Sequence, residues 1–544
     1  MVRLLPRPRP AVRAQHGVVA TSHPAAALVG RAVLRAGGSA VDAAIATAAA
    51  LTVVEPTSNG LGGDAFALVW DGSRLHGYNG SGRAPAALTR EAVCAGGRTA
   101  MPLTGWGSVT VPGQVRAWGD LHGRFGRLPW ERLLEPAADL AAQGTPVPPV
   151  VAHYWQRGVA AAGRLTQPEC AAFRATFAPD GRAPREGDRV SLLGHARTLR
   201  RLAEAGADDF YTGEVARAIA EFSSQTDGLL TAGDLASHEG EWVEPVTTAY
   251  GRHRVAEIPP NGQGVAALMA LGVLDGLELG PDLTDPASLH LQVEAMRIAF
   301  ADAFAHVGDP TRVEVPTTGL LDPAYLSGRR TLIGPRAGTF GAGRPPRGGT
   351  VLLCVAAPDG QMVALIQSNF HGFGSGVVVP GWGIALQNRA SGFVLEEGHP
   401  NELRPGRRPF HTIIPGFLLR DGDSGEREPI GPFGVMGGHM QAQGHVQVAL
   451  HTSRGADPQQ ALDAPRWRVE ADAVILEPGL ADAAEGLTEL GHRVIVADDD
   501  DGGFGRGQAI WRDPQGGRGA EGRSDTGGWV AGSETRCDGL AAGW

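Results

Sequence analysis

Gly348-Gly349-Thr350-Val351-Leu352-Leu353-Cys354-Val355-Ala356 joins a glycine-, proline- and arginine-rich tract, AGTFGAGRPPRGG at 337–349, to a continuous apolar run. The run predicts a buried strand, so Thr350 stands where a connector meets the first residue of a rigid element. A threonine hydroxyl is a poor nucleophile without an adjacent base. Cleavage of the Gly349–Thr350 bond would give Thr350 a free α-amine of pKa about 7.7–8.0, and the residue would then carry its own base. Glycine at 349 suits that cut, because a backbone without Cβ reaches the strained conformation that brings the hydroxyl onto the preceding carbonyl. Taken alone, the same residues also read as an ordinary turn before a strand.

Composition narrows the chemistry. The chain has 544 residues, enough for one large α/β domain or two smaller ones. All 48 basic residues are arginine, which excludes Schiff-base and pyridoxal-phosphate chemistry and the lysine of a phosphate loop. A net charge of −10 argues against nucleic acid as a partner. Cys94, Cys170, Cys354 and Cys537 lie far apart and lack CxxC spacing, so free thiols are expected. The N-terminal MVRLLPRPRPAVRAQHG has no apolar core of a secretory signal, and no run of about 20 apolar residues occurs. A cytoplasmic protein that does not engage membranes is the expectation.

Helices are predicted over 24–35, 40–54 (capped by Ser39 and ended at Glu55-Pro56), 130–142, 262–275 and 288–306, the last as an amphipathic helix. The GLGGD loop at 60–64 lacks the spacing and lysine of a phosphate cradle and is read as close backbone packing. From Thr350 to about residue 450 the texture is one of short strands and glycine turns, and 498–544 reads as strands and tight turns completing a sheet. No internal repeat is visible.

Several stretches together resemble the gamma-glutamyltransferase family of N-terminal-nucleophile hydrolases, in its signal-less branch of cephalosporin-acylase-like members. They are HPAAALVGRAVLRAGGSAVDAAIATAAALTVVEPTSNGLGGDAFALV (23–69), EAMRIAFADAFAHVGDP (294–310), GGTVLL (348–353), GFGSGVVVPGWGIALQNRASGF (372–393), RRPFHTIIP (407–415), VMGGHMQAQGH (435–445) and the closing DGLAAG. They follow the family's order from near residue 17 to the C-terminus. The resemblance implies a four-layer αββα sandwich made as a zymogen. Autocatalytic cleavage would divide it into a large chain, 1–349, and a small chain, 350–544, which stay associated around one core. It implies an acyl-enzyme mechanism with Thr350 as nucleophile, Ser368 bonding the nucleophile hydroxyl, and the backbone N–H groups of Gly437 and Gly438 holding the oxyanion. No cofactor or metal is implied. The partners would be a small-molecule acyl donor and a water or amine acceptor, and a homo-oligomer of processed units is compatible with the pattern.

The departures bear on substrate. The family's Thr-Thr pair is Thr350-Val351 here, and Phe370 stands where an asparagine is typical, with Asn369 adjacent. The glutamine and aspartate that hold a glutamyl α-ammonium align with Arg389 and Gly392, and the serine pair for the α-carboxylate aligns with His411-Thr412. The carboxylate-binding arginine aligns nearest Ser81, with Arg83 two residues on. The implied substrate-binding residues are therefore Ser81, Arg83, Asn388, Arg389, His411 and Thr412, suited to a carboxylate and hostile to an ammonium. Glutaryl-like N-acyl compounds fit better than true γ-glutamyl ones, although Arg389 also reads as a structural ion-pair residue. Three alternatives stay open: a nucleophile reused for C–C or C–N cleavage in secondary metabolism, a non-catalytic binder of small molecules, and a metal enzyme built on His371, His411, His439 and His445. The histidine spacings match no ligand motif.

Overall fold

The computed structural model describes residues 9–95, 97–340, 349–422, 426–513 and 527–544. Most of the 337–349 connector and part of the C-terminal stretch lie outside the described residues. In chain order the main strands are β1 (Val12–Ala14), β2 (Val18–Thr21), β3 (Asp64–Trp70), β4 (Leu75–Asn79), β5 (Glu241–Val243), β6 (Val246–Tyr250) and β7 (His253–Glu257). They continue with β8 (Gly349–Ala356), β9 (Met362–Phe370), β10 (Gly416–Asp421), β11 (Arg427–Met436), β12 (Arg506–Arg512), β13 (Trp529–Ser533) and β14 (Leu540–Gly543). They form two antiparallel seven-stranded sheets, ordered β14-β2-β8-β9-β3-β4-β5 and β1-β13-β12-β11-β10-β7-β6.

The apolar run after Thr350 is explained by what covers each side of β8. Leu352, Cys354 and Ala356 pack towards the second sheet, against a cluster that includes Phe417, Leu419 and Ile510. Val351, Leu353 and Val355 face a different cluster, built around the helix α2 (Ala40–Val54). A strand buried on both faces is apolar at every position.

α1 (Pro24–Arg35) and α2 match the sequence reading, and all 15 residues of α2 are buried. Ser39 caps α2 by accepting from the Asp42 N–H while the Asp42 carboxylate accepts from the Ser39 N–H, a reciprocal box in which the cap contributes about 1 kcal/mol. The second sheet is covered on its far side by α4 (Gly264–Leu274) and α6 (Met440–Ser453), numbered after α3 (Pro149–Ala162) and before and after α5 (Pro286–His306).

Two expectations change. α5 is buried on most of its faces, including Leu289, Val293, Met296 and Phe300 on one side and His290, Glu294 and Ile298 on others, so it is an interior helix and not an amphipathic one. The run of strands from Thr350 stops at Met436, and α6 follows where strands were expected up to about residue 450. The GLGGD loop does pack closely: a Cβ on Gly62 would stand 2.5 Å from the Ala385 carbonyl oxygen. The four cysteines are free thiols. Among the described residues no helix is long and apolar enough to cross a membrane.

Candidate active site

Thr350 enters the site through an irregularity in the β8–β9 ladder. Gly349 pairs with Phe370 and Val351 with Gln367, so Ser368 and Asn369 together oppose the single residue Thr350. Such a bulge re-aims side chains. Thr350 is 1% exposed, and its Oγ1 donates to Ser368 Oγ at 3.1 Å. Ser368 Oγ also accepts from the Phe370 N–H at 2.8 Å. Phe370 holds φ +75°, a left-handed backbone that costs a bulky residue about 1–3 kcal/mol. Asn369 turns its amide towards Gly60 and Gly63.

Gly437 (φ +133°) and Gly438 (φ +62°) form the loop between β11 and α6. Among the described residues the N–H of neither glycine has a hydrogen-bond partner, whereas the carbonyls accept from Met440 and Gln441. Unpaired backbone donors beside a buried hydroxyl are what an oxyanion requires.

Two glutamines that the sequence reading passed over tie this loop to its surroundings. Gln441 Nε2 donates to Thr350 Oγ1 at 3.4 Å, and its Oε1 accepts from the Ile414 N–H at 3.0 Å. Gln263 Nε2 donates to the carbonyls of Thr412 (2.6 Å) and Gly438 (2.9 Å), and Gln263 Oε1 lies 3.0 Å from His439 Nδ1. A glutamine inside an apolar stretch was the available signal: it has to be satisfied by something equally buried.

Arg389, His411 and Thr412 meet in one buried cluster. Arg389 Nη1 donates to Thr412 Oγ1 at 2.8 Å, and its guanidinium lies 4.1 Å from the centre of the Phe370 ring. Asp64, at the end of the GLGGD loop, supplies a counter-charge that sequence reading missed. Its Oδ2 lies 3.0 Å from His411 Nε2 and 3.8 Å from Arg389 Nε, while Oδ1 accepts from the N–H groups of Gly82 and Gly113. Burial lowers Arg389 to about 9, partly offset by Asp64, and burial with help from Arg389 lowers His411 to about 4. Among the described residues Arg389 Nε and Nη2 have no hydrogen-bond partner.

The other expected residues sit elsewhere. Asn388 braces a loop, accepting from the His371 N–H and donating to the Leu103 carbonyl. Ser81 donates to Asn79 Oδ1. Arg83 pairs with Asp309 at 2.7 Å and also bonds Thr311 and Gly406, outside the Arg389 cluster. The open space beside Gly437 is a cavity of about 460 Å3, lined by Tyr154, Arg157, Phe373, His371, His439 and Arg468 among others.

The four histidines considered as ligands have separate partners: Asn388 braces the His371 backbone, His411 meets Asp64, His439 meets Gln263, and His445 lies 2.6 Å from Glu257. A different trio, His290, Glu294 and His492, gathers its ligand atoms within 4.8 Å. Arg297 Nη1 can only donate to His492 Nδ1 (3.3 Å), which leaves the hydrogen on His492 Nε2 for His290 Nδ1 (2.8 Å), and His290 Nε2 donates to Gly334 O (2.9 Å). In this chain of hydrogen bonds the ring lone pairs of both histidines are engaged.

The gamma-glutamyltranspeptidase family model matches residues 26–544. A glutathione hydrolase-like proenzyme, YwrD, of Bacillus subtilis is 34% identical over 513 residues, covering 92% of this chain and 95% of the relative. An oxamate amidohydrolase proenzyme of Klebsiella pneumoniae is 36% identical over 527 residues, with 92% and 95% covered. A crystal structure of cephalosporin acylase from Bacillus halodurans superimposes with a TM-score of 0.92 at 48% identity, covering 99% of this chain and 98% of that one. The chain belongs to the gamma-glutamyltranspeptidase family and is an enzyme of the hydrolase or transferase type.

Proposed function

We propose that the protein is a self-processing N-terminal-threonine amidohydrolase or acyltransferase acting on small N-acyl compounds with a carboxylate on the acyl group. The observation that carries this reading is the bracketing of Thr350 Oγ1 by Ser368 and Gln441, next to the Gly437-Gly438 loop, whose N–H groups have no partner among the described residues. The two facing sheets and their helices then constitute an αββα sandwich, cut between 349 and 350 into chains 1–349 and 350–544.

In processing, Thr350 Oγ attacks the Gly349 carbonyl carbon, the peptide C–N bond breaks, and the resulting ester is hydrolysed by water. In turnover, Thr350 Oγ attacks the substrate carbonyl and its proton passes to the freed α-amine. The N–H groups of Gly437 and Gly438 take the oxyanion, the C–N bond of the substrate breaks, and the departing amine leaves with the proton. Water or a second amine then attacks the acyl-enzyme.

The acyl preference follows from Arg389. Its buried guanidinium offers Nε and Nη2 to an acceptor, and a substrate ammonium at about 4 Å would meet a repulsion of about 4 kcal/mol at an effective dielectric of 20. Asp64, 3.8 Å from Arg389 Nε, offsets part of that repulsion, but its oxygens are already engaged by Gly82, Gly113 and His411 and are not directed at an ammonium. Short acyl groups ending in a carboxylate, from oxalyl to glutaryl, are the favoured class.

The test is intact-mass and N-terminal analysis of the purified protein, followed by assay of oxamate and of glutaryl and γ-glutamyl anilides. Two associated chains, the second starting at Thr350, and a glutaryl rate at least tenfold above the γ-glutamyl rate are expected, the fold-change being well within about 4 kcal/mol. Thr350→Ala should abolish cleavage and turnover. A persistent single chain at neutral pH would refute the nucleophile, and a γ-glutamyl preference would refute the role of Arg389.

A further inference from the structure

α5 buries a polar pair that the active site does not use. His290 is 4% exposed and Glu294 is fully buried, and the two stand i, i+4 on one face of an interior helix. A buried carboxylate is costly unless it is paired and hydrogen-bonded, so both Glu294 oxygens need partners. Arg297 Nη1 answers one at 3.2 Å, and the N–H of Gly338 donates to the other at 2.6 Å. His290 Nε2 donates to the Gly334 carbonyl at 2.9 Å, in the same segment. This segment leads from the helix Pro323–Arg330 into the connector.

The other half of the fastening comes from beyond residue 350. His492 Nε2 donates to His290 Nδ1 at 2.8 Å, and Arg297, which donates to His492 Nδ1 at 3.3 Å, also reaches the Asp472 carbonyl at 3.0 Å. The Leu490 carbonyl accepts from the Ala337 N–H at 2.8 Å, and Gly491, at φ +93°, turns the backbone between Leu490 and His492. The backbone of Gly334, Ala337 and Gly338 is thus held by groups from both sides of the proposed cut, whereas Arg336 between them is exposed.

We propose that His290, Glu294 and His492 form a clasp that fastens the terminal segment of the large chain, Gly334–Gly338, to the small chain, so that the mature enzyme stays joined where the large chain runs out. Naming this segment a chain end rests on the self-processing reading. The clasp matters chiefly after the cut. Its loss would lengthen the stretch beyond the last anchor from 339–349 to 334–349, eleven residues to sixteen, and in an uncut chain tied again at Thr350 this alters loop closure by only about twofold. In the cut chain the second tie is gone, and among the described residues the last backbone hydrogen bonds of the large chain are those of the clasp.

The experiment is limited trypsin digestion of the mature enzyme, in which every cut falls at arginine because the chain has no lysine. Mass spectrometry follows the Arg336–Ala337 bond against the Arg182–Ala183 bond, which lies in an exposed turn outside the clasp. In wild type the Arg336 bond should be cut at least about tenfold more slowly, because cleavage tracks the opened population of its flanking backbone. Gly338→Pro removes the N–H that Glu294 accepts, and His290→Leu removes the donor to Gly334. Each should speed the Arg336 cut at least about fivefold with the Arg182 cut unchanged, the size of losing one hydrogen bond. His290→Gln, whose amide can still donate to Gly334, should bring protection back to within about twofold of wild type. All three variants should keep kcat and KM, and their cleavage at 350 should change by no more than about twofold. Gly338→Pro leaves α5 untouched and decides the matter where His290→Leu does not fold. Equal cutting of both bonds in wild type, an Arg336 rate unmoved by the variants, or a rise at both bonds together overturns the clasp. A wild-type chain that stays whole refutes the nucleophile reading and removes the chain end from the proposal, whereas an unprotected Arg336 bond in a cleanly cut enzyme refutes the clasp alone.

Discussion

Ser368 and Gln441 help fix where the Thr350 hydroxyl points. The Gln441 amide cannot turn over: its oxygen is committed to the Ile414 N–H, so its NH2 must face Thr350 Oγ1. Replacing that NH2 by a second oxygen keeps the shape and the Ile414 bond but removes the donor and, in the proposed mechanism, places a negative charge beside a hydroxyl oxygen that must give up its proton to attack. Gln441→Glu should therefore lower kcat by about 10- to 100-fold with KM little changed, the size expected for losing about 1.5–3 kcal/mol of hydrogen bonding to a charged group. The loss should diminish as pH falls and the carboxyl takes up a proton. Gln447→Glu is the comparison, since Gln447 bonds only Gln443 and Trp467 backbone groups and touches no reacting atom. Equal effects from both variants would reduce Gln441 to a packing residue.

At the junction of β11 and α6, backbone conformation does what no side chain could. Gly438 holds φ +62° and Gly437 φ +133°, and among the described residues neither N–H has a hydrogen-bond partner. Gly438→Ala and Gly437→Ala should each cut kcat by about 100-fold or more through a displaced oxyanion donor, with the sheets intact by circular dichroism. Unchanged kcat in both would move the oxyanion site elsewhere. This junction also marks the limit of what the chain discloses in one dimension. The motif VMGGHMQAQGH is readable as part of the family pattern, yet the texture of short strands and glycine turns that follows Thr350 extends the expectation of strands across α6. In the fold the α6 glutamines are buried: Gln443 bonds both backbone groups of Val469, and Gln447 does the same at Trp467. Local stretches with one structural solution, such as β8, α1 and α2, were legible, as were Thr350 and Ser368 as partners. Asp64 as counter-ion to Arg389 was not, since 325 residues separate them and only the packing of distant loops joins them.

Burial of histidines governs how the complete fold responds to acid. His195 is fully buried, neither ring nitrogen has a hydrogen-bond partner among the described residues, and burial lowers it from 6.5 to about 4. His411 is lowered to the same value and His439 to about 3. In the unfolded chain each takes up a proton below about pH 6.5, whereas in the native state it stays neutral until about pH 4. Stability is thus full above about pH 6.5 and is lost as pH falls towards 4, by up to about 3 kcal/mol for one such group. The melting temperature should decline steeply across that window, and His195→Leu should make the decline shallower. A flat profile would mean that these rings are not neutral in the native protein.

The strand order carries one more consequence. β8 and β9 lie between β2 and β3, and β10 lies beside β7, so segments from either side of residue 350 alternate within both sheets. An uncut chain assembles this pattern in a first-order reaction, with all its parts tethered. After a cut at 350 the same pattern requires two molecules to meet, each exposing long unpaired strand edges until they do. If the chain is cut there as proposed, covalent continuity speeds the route to the fold and is not needed to keep it. Heat-denatured mature enzyme should accordingly recover in a concentration-dependent way and lose material to aggregation, while the uncut Thr350→Ala chain refolds with a rate independent of dilution.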